Sequence, residues 1–157
     1  MIQVTKEFTF DSAHFLPNYY GKCESMHGHT YKLHVTVEGE LGENGLLIDF
    51  VVLKRIVKKQ VLERLDHKII NDTIQVASCE KTAQWIWDQL VDLKSLIAKE
   101  LGDPNLPASI TKYFAEAVPA SGVAGDATID ISDFSNQVRL KEIRLWETPT
   151  SFVTYSG

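Results

Sequence analysis

Tyr31-Lys32-Leu33-His34-Val35-Thr36-Val37-Glu38 alternates apolar and polar side chains at every step. Successive side chains of an extended chain point to opposite faces, so Tyr31, Leu33, Val35 and Val37 share one apolar face. Lys32, His34, Thr36 and Glu38 share the polar one, the pattern of a half-buried β-strand. Upstream, Ile2, Val4, Phe8 and Phe10 have a common parity, with Lys6 the exception. That predicts a first strand over residues 2–10. Pro17, Asn18 and Gly21 mark the loop between the two. Two strands in succession predict an antiparallel pair with a long connection.

Downstream the period changes. Gly39 to Gly45 reads as a turn region. Past Asp49, Leu53, Ile56, Val57, Val61 and Leu65 fall at helical spacing, with lysines and arginines between them. Asp49 is placed to cap that helix. Ile86, Leu90, Leu93 and Ile97 predict a second helix, ending at Gly102 with Pro104 just beyond. Leu140 to Glu147 and Ser151 to Tyr155 read as two more strands about a Pro149 turn. An irregular excursion at about 102–138 separates them from the second helix. Within it, Ile110 to Ala117 fits a short helix or a strand, and Thr128 to Ile131 a short strand. Strands and helices in separate runs predict a single α+β domain over residues 1–157, its helices on one face of an antiparallel sheet.

A chain of 157 residues suits one domain. The formal net charge of −5 argues against nucleic acid as the main partner, because duplex binding needs a basic footprint. The longest apolar run, Leu46 to Leu53, is interrupted by Asp49 and falls far short of the roughly 20 residues of a membrane span. No basic segment followed by an apolar one opens the chain, so no secretory leader is expected. Cys23 and Cys79 do not make a disulfide framework. A cytoplasmic protein with free thiols and no membrane partner is expected.

The histidines carry the chemistry. His27 and His29 flank Gly28, so in an extended chain their rings point to one face. His14 lies just beyond the first strand, and pairing the two strands brings it beside them. Three neutral imidazoles with no fourth protein ligand form a catalytic zinc arrangement, the open position taking water or substrate. His34 belongs to the polar face of its strand and reads as a solvated residue. Cys23 lies four residues before His27, and a thiolate beside imidazoles and a metal can act as base or nucleophile. Asp66 adjoins His67 and can orient its ring. Glu147, on an otherwise apolar strand end, can accept two hydrogen bonds from an amidine-like edge.

These residues resemble those of a known family. Cys23-Glu24-Ser25-Met26-His27-Gly28-His29 is similar to the Cys-x-x-x-His-Gly-His segment of the 6-pyruvoyl-tetrahydropterin and 6-carboxytetrahydropterin synthases. Phe10-Asp11-Ser12-Ala13-His14, Gly45-Leu46-Leu47-Ile48-Asp49-Phe50, Leu65-Asp66-His67-Lys68 with Asn71, and Glu147-Thr148 with Tyr155 resemble further motifs of that family, in the same order. The resemblance implies the tunnelling fold, or T-fold: a four-stranded antiparallel sheet with two helices on one face, closed into a barrel by oligomerisation. It implies a homohexamer, a dimer of trimers with active sites between subunits.

Carried over by position, His14, His27 and His29 bind zinc. Cys23 is the general base, and Asp66 and His67 complete the proton relay from a neighbouring subunit. Glu147 anchors a pterin ring. Ala77-Ser78-Cys79-Glu80-Lys81 departs from the family's Pro-Thr-x-Glu-Asn, retaining Glu80 and the Ser78 hydroxyl as substrate-binding candidates. The implied substrate is 7,8-dihydroneopterin triphosphate, and the implied enzyme a carbon–oxygen lyase of the 6-carboxytetrahydropterin synthase type (queuosine and 7-deazaguanine synthesis) or of the 6-pyruvoyl type. Glu24 beside Cys23 leaves a third outcome open, side-chain cleavage to 6-hydroxymethyl-dihydropterin for folate synthesis. A pterin-binding module without catalysis is the alternative of a different class.

Overall fold

The computed structural model of the chain describes residues 1–42, 45–116 and 138–157. Two long strands, β1 (Ile2–His14) and β2 (His27–Gly39), pair antiparallel along their whole length, Ile2 opposite Gly39 and His14 opposite His27. Both run further than the alternation predicts. The three histidines therefore belong to the strands themselves, His14 closing β1, His27 opening β2 and His29 two residues further in. Their ring positions carry no apolar signal, so the hydrophobic period ended too soon. β4 (Arg139–Thr148) pairs with β2, and β5 (Ser151–Tyr155) with β4, both antiparallel.

The sheet has five strands and is mixed, not four-stranded and antiparallel as expected. With the short strand Lys68–Ile69 as β3, its order is β3-β1-β2-β4-β5. The added strand, β3 (Lys68–Ile69), lies parallel to β1 at Ser12 and Ala13. His67, with a left-handed φ of 56°, turns the chain there, and its N–H donates to the Asp11 carbonyl at 2.7 Å. Two residues are too few to show a period.

Helices cover the apolar face. α1 (Phe50–Val57) continues through a π-helical turn, Lys58–Leu62, into α2 (Glu63–Leu65). Asp49 caps it, its Oδ1 accepting from Val51 N–H at 2.7 Å and Val52 N–H at 3.2 Å. Just before it, Gly45 takes φ 76°, which a side chain rarely allows. The predicted second helix is two: α3 (Cys79–Leu90) and α4 (Leu93–Leu101). Asp92 starts the second by accepting from Ser95 N–H. The apolar spacing runs straight across this break, which is why periodicity did not show it. α5 (Ala108–Glu116) settles the choice at residues 110–117 in favour of helix as far as residue 116. The strand expected at Thr128 to Ile131, and most of the excursion, lie outside the described residues.

The core is the inward row of each strand against these helices. Leu33, Val35, Val37, Ile143 and Leu145 are fully buried against Leu53, Val57, Leu65, Ala83 and Ile86. Each large side chain buried this way contributes about 1.5–3 kcal/mol. Lys6, the exception to the parity of β1, lies at the sheet's margin, its ammonium 5.6 Å from the centre of the Phe50 ring. None of the described helices is long and apolar enough to cross a membrane.

Candidate active site

The core row of β1 and β2 ends in polar chemistry. Phe10 stacks on Tyr31 at 5.0 Å, and past Tyr31 the same face carries His29, His27 and His14. Their ligand-capable atoms lie within 4.8 Å of one another. His14 is 1% exposed although it is a histidine. Its Nδ1 lies 2.6 Å from the Ala77 carbonyl, and His27 Nδ1 lies 2.8 Å from the Ser25 carbonyl. A carbonyl can only accept, so in each ring Nδ1–H donates and Nε2 keeps its lone pair. His14 Nε2 and His29 Nε2 are both buried with no hydrogen-bond partner.

Unpaired buried nitrogens are costly. Here they face one another, so one electrophile answers both. Burial holds the His29 imidazole below its ordinary pKa; Glu147 opposes this, and His14 and His27 add to it. A neutral imidazole is the form that ligates a metal. Three nitrogen donors with a place left open suit zinc.

Glu147 joins this group. Its Oε1 stands 3.4 Å from His14 Nε2, with the side chain 27% exposed. It extends the buried row of Ile143 and Leu145 into the site. Burial, reinforced by Glu147 and then by Cys79, pushes the Tyr31 hydroxyl far up, so Tyr31 is a neutral wall. Burial, with Glu147 and Glu80, raises the Cys79 thiol to about 12. Cys79 is thus an inert thiol, its Sγ 3.5 Å from the Leu145 carbonyl.

The remaining candidates are more dispersed. Cys23, half-buried, lies in a 3-10 turn over Lys22–Glu24. Its carbonyl accepts Leu16 N–H at 2.8 Å, which draws the loop after β1 together. Glu24 is exposed. Asp66 Oδ1 accepts from Asp11 N–H at 3.0 Å and lies 2.8 Å from His67 Nδ1. The His67 side chain is 76% exposed. It borders an open depression of about 600 Å³ that Asp11, Thr30, Lys68 and His29 also line. Ser78 Oγ caps α3, accepting Lys81 N–H at 3.2 Å, and Glu80 is exposed. His34 is no ligand: its Nε2 lies 2.7 Å from Glu7 Oε2 on the outer face.

Two groups escaped the sequence. The carbonyls of Ala77 and Ser25 orient ligand rings, and any residue type supplies a carbonyl. Asn71 was visible only as part of a motif.

Comparison with known proteins identifies the family. The family model described as 6-pyruvoyl tetrahydropterin synthase matches residues 3–103. A 6-carboxy-5,6,7,8-tetrahydropterin synthase of Haemophilus influenzae is 38% identical over 162 residues, covering 99% of each chain. This chain belongs to the 6-pyruvoyl tetrahydropterin synthase family. It is an enzyme of that family, a lyase, as its motifs predict. A relative in Pyrococcus furiosus, named dihydroneopterin monophosphate aldolase, is 37% identical over 82 residues, 52% of this chain and 68% of its own. The fold is shared with the solved 6-pyruvoyl tetrahydropterin synthase of Caenorhabditis elegans, at a TM-score of 0.65 and 20% identity over 99% of this chain and 95% of that one.

Proposed function

We propose that the chain is a zinc-dependent carbon–oxygen lyase acting on 7,8-dihydroneopterin triphosphate, of the 6-carboxytetrahydropterin synthase type. The observation that carries this is the pair of buried, unpartnered Nε2 atoms of His14 and His29 beside His27. The full-length likeness to the Haemophilus synthase supports the choice of type.

Zinc on the three imidazoles supplies Lewis acidity toward the substrate's side-chain hydroxyls and the C–H bonds next to them. Glu147 anchors the pterin by accepting from a ring N–H and the exocyclic amine, two donors that one carboxylate serves together. Cys23 takes the side-chain proton, and the bonding pair of the broken C–O bond leaves with triphosphate. His67, oriented by Asp66, moves a proton elsewhere on the substrate. Its exposure fits a ring that serves a neighbouring subunit's site, in a homohexamer of two trimers. In the carboxy branch a water also adds to the side-chain carbon next to the ring and supplies the carboxylate oxygen, the bond to the outer two carbons breaks, and these leave as acetaldehyde; the product feeds queuosine synthesis in the cytoplasm. Ser78 and Glu80 line the approach to the pterin, with Ser78 also occupied as a helix cap.

A second reading, side-chain cleavage to 6-hydroxymethyl-dihydropterin, is favoured by Glu24 beside Cys23 and by the aldolase-named relative. Metal removal tests the leading one. Stripping zinc with a chelator should abolish triphosphate release, and added zinc should restore it. Equal turnover in the stripped protein would exclude a zinc lyase.

A further inference from the structure

We infer that Asn71 is a positioning residue for the metal centre: its amide locks the chain after His14 to the segment whose carbonyl orients the His14 ring. The inference rests on the reading of His14, His27 and His29 as zinc ligands. Of the two rings tied by a carbonyl, His27 is held locally, by Ser25 two residues away. His14 is held by Ala77, 63 residues distant. A remote partner orients a ring only if the two segments are fixed to each other.

Asn71 does the fixing. Its Oδ1 accepts Phe15 N–H at 2.9 Å, and its Nδ2 donates to the Phe15 carbonyl at 3.0 Å. The same Nδ2 donates to the Gln75 carbonyl at 3.3 Å. One amide thus grips both backbone groups of the residue next to His14 and reaches to within two residues of Ala77. The contacts close a ring: His14, Phe15, Asn71, Gln75, Ala77 and back to His14 Nδ1. The ring leaves His14 Nε2 as the lone-pair nitrogen, aimed at the other two imidazoles. Aspartate has the same shape but no N–H, so it would set an acceptor against two carbonyls.

Such partners of ligating histidines are typically worth 10–100-fold in metal affinity. The test compares the wild-type chain with Asn71→Asp, Asn71→Ala and, as a control, Ile86→Val, which removes a methyl from the buried face of α3. Zinc affinity is read by competition with a chromophoric chelator, and geometry by the visible spectrum of the cobalt(II)-loaded protein. The Asn71 variants should bind zinc about 10- to 100-fold more weakly with altered cobalt spectra, and Ile86→Val should match wild type. Wild-type affinity and spectrum in both Asn71 variants would overturn the role. Should those variants fail to fold, long-range proton–nitrogen spectra of metal-free wild type decide. A slowly exchanging His14 Nδ1–H supports the clamp; an Nε2–H tautomer, or rapid exchange, overturns it. The underlying site is checked separately by His27→Ala: undiminished zinc binding there would defeat the metal reading, whereas lost binding there with intact Asn71 variants would defeat this inference alone.

Discussion

His14, His27 and His29 share the face of the sheet that elsewhere carries Tyr31, Leu33 and Phe10, so the three-histidine cluster is the polar end of the hydrophobic core. That placement keeps two nitrogens dry and directs them at one point. Each named side chain then has its own test. His27→Ala should lower zinc content well below one per chain, read by elemental analysis, because two nitrogens remain where three were. Cys23→Ala should keep zinc but slow turnover by about 10²–10⁴-fold, the usual worth of a placed general base; unchanged turnover would make Cys23 a bystander. Glu147→Gln should weaken binding of a non-reactive pterin by roughly 5- to 150-fold, because an amide N–H facing a ring N–H leaves a mismatch of about 1–3 kcal/mol. Calorimetric titration measures it. At this scale the sequence was informative where side chains carry the chemistry, as with the His-Gly-His run. It was silent where backbone does, as with the Ala77 carbonyl that sets the His14 tautomer.

Among the elements, α1 was legible because Asp49 and the apolar spacing agree with the structure. Asp49→Ala should cost about 1 kcal/mol in urea unfolding, since two N–H groups lose their acceptor. The join of α3 to α4 was not legible, because Asp92 restarts the helix without disturbing the apolar period. α4 is tied back to the first helix by an ionic cluster. Glu100, 4% exposed, accepts from Arg55 and from Lys59 at 2.8 Å, and Asp103 accepts from the same two at 3.0 and 2.6 Å. Lys59, and then hydrogen bonds from Asn105, hold the Asp103 carboxyl well below the usual carboxylate range. A depressed carboxylate contributes stability that is present above its unfolded value, about 3.9, and lost as pH falls toward the folded one. Urea midpoints should therefore drop below about pH 4, and Asp103→Asn should flatten that drop. An unchanged acid slope in Asp103→Asn would remove Asp103 from the account.

For the whole molecule, the sheet leaves open edges. β3 covers only Ser12 and Ala13 of β1, so the strand upstream of Asp11 has an uncovered side among the described residues. Exposed strand edges invite pairing with another chain, which suits closure of the sheet by further copies. The α+β class, the β1–β2 pair and the β4–β5 hairpin could be read from alternation and turns, whereas the pairing of β2 with β4 could not. The mixed sheet could not, because β3 depends on the left-handed turn at His67. If active sites are shared between subunits, oligomers mixed from Cys23→Ala and His67→Ala chains should regain part of the activity that each lacks alone. A fully active monomer in sedimentation would contradict a shared site.

The central claim is that this chain uses its three-histidine zinc centre to eliminate triphosphate and shorten the side chain of a reduced pterin. The most direct measurement is mass spectrometry of the products after the zinc-loaded wild-type protein is incubated with 7,8-dihydroneopterin triphosphate. The account predicts 6-carboxytetrahydropterin, with triphosphate and acetaldehyde released. Recovery of unchanged substrate, or of 6-hydroxymethyl-dihydropterin alone, would contradict it.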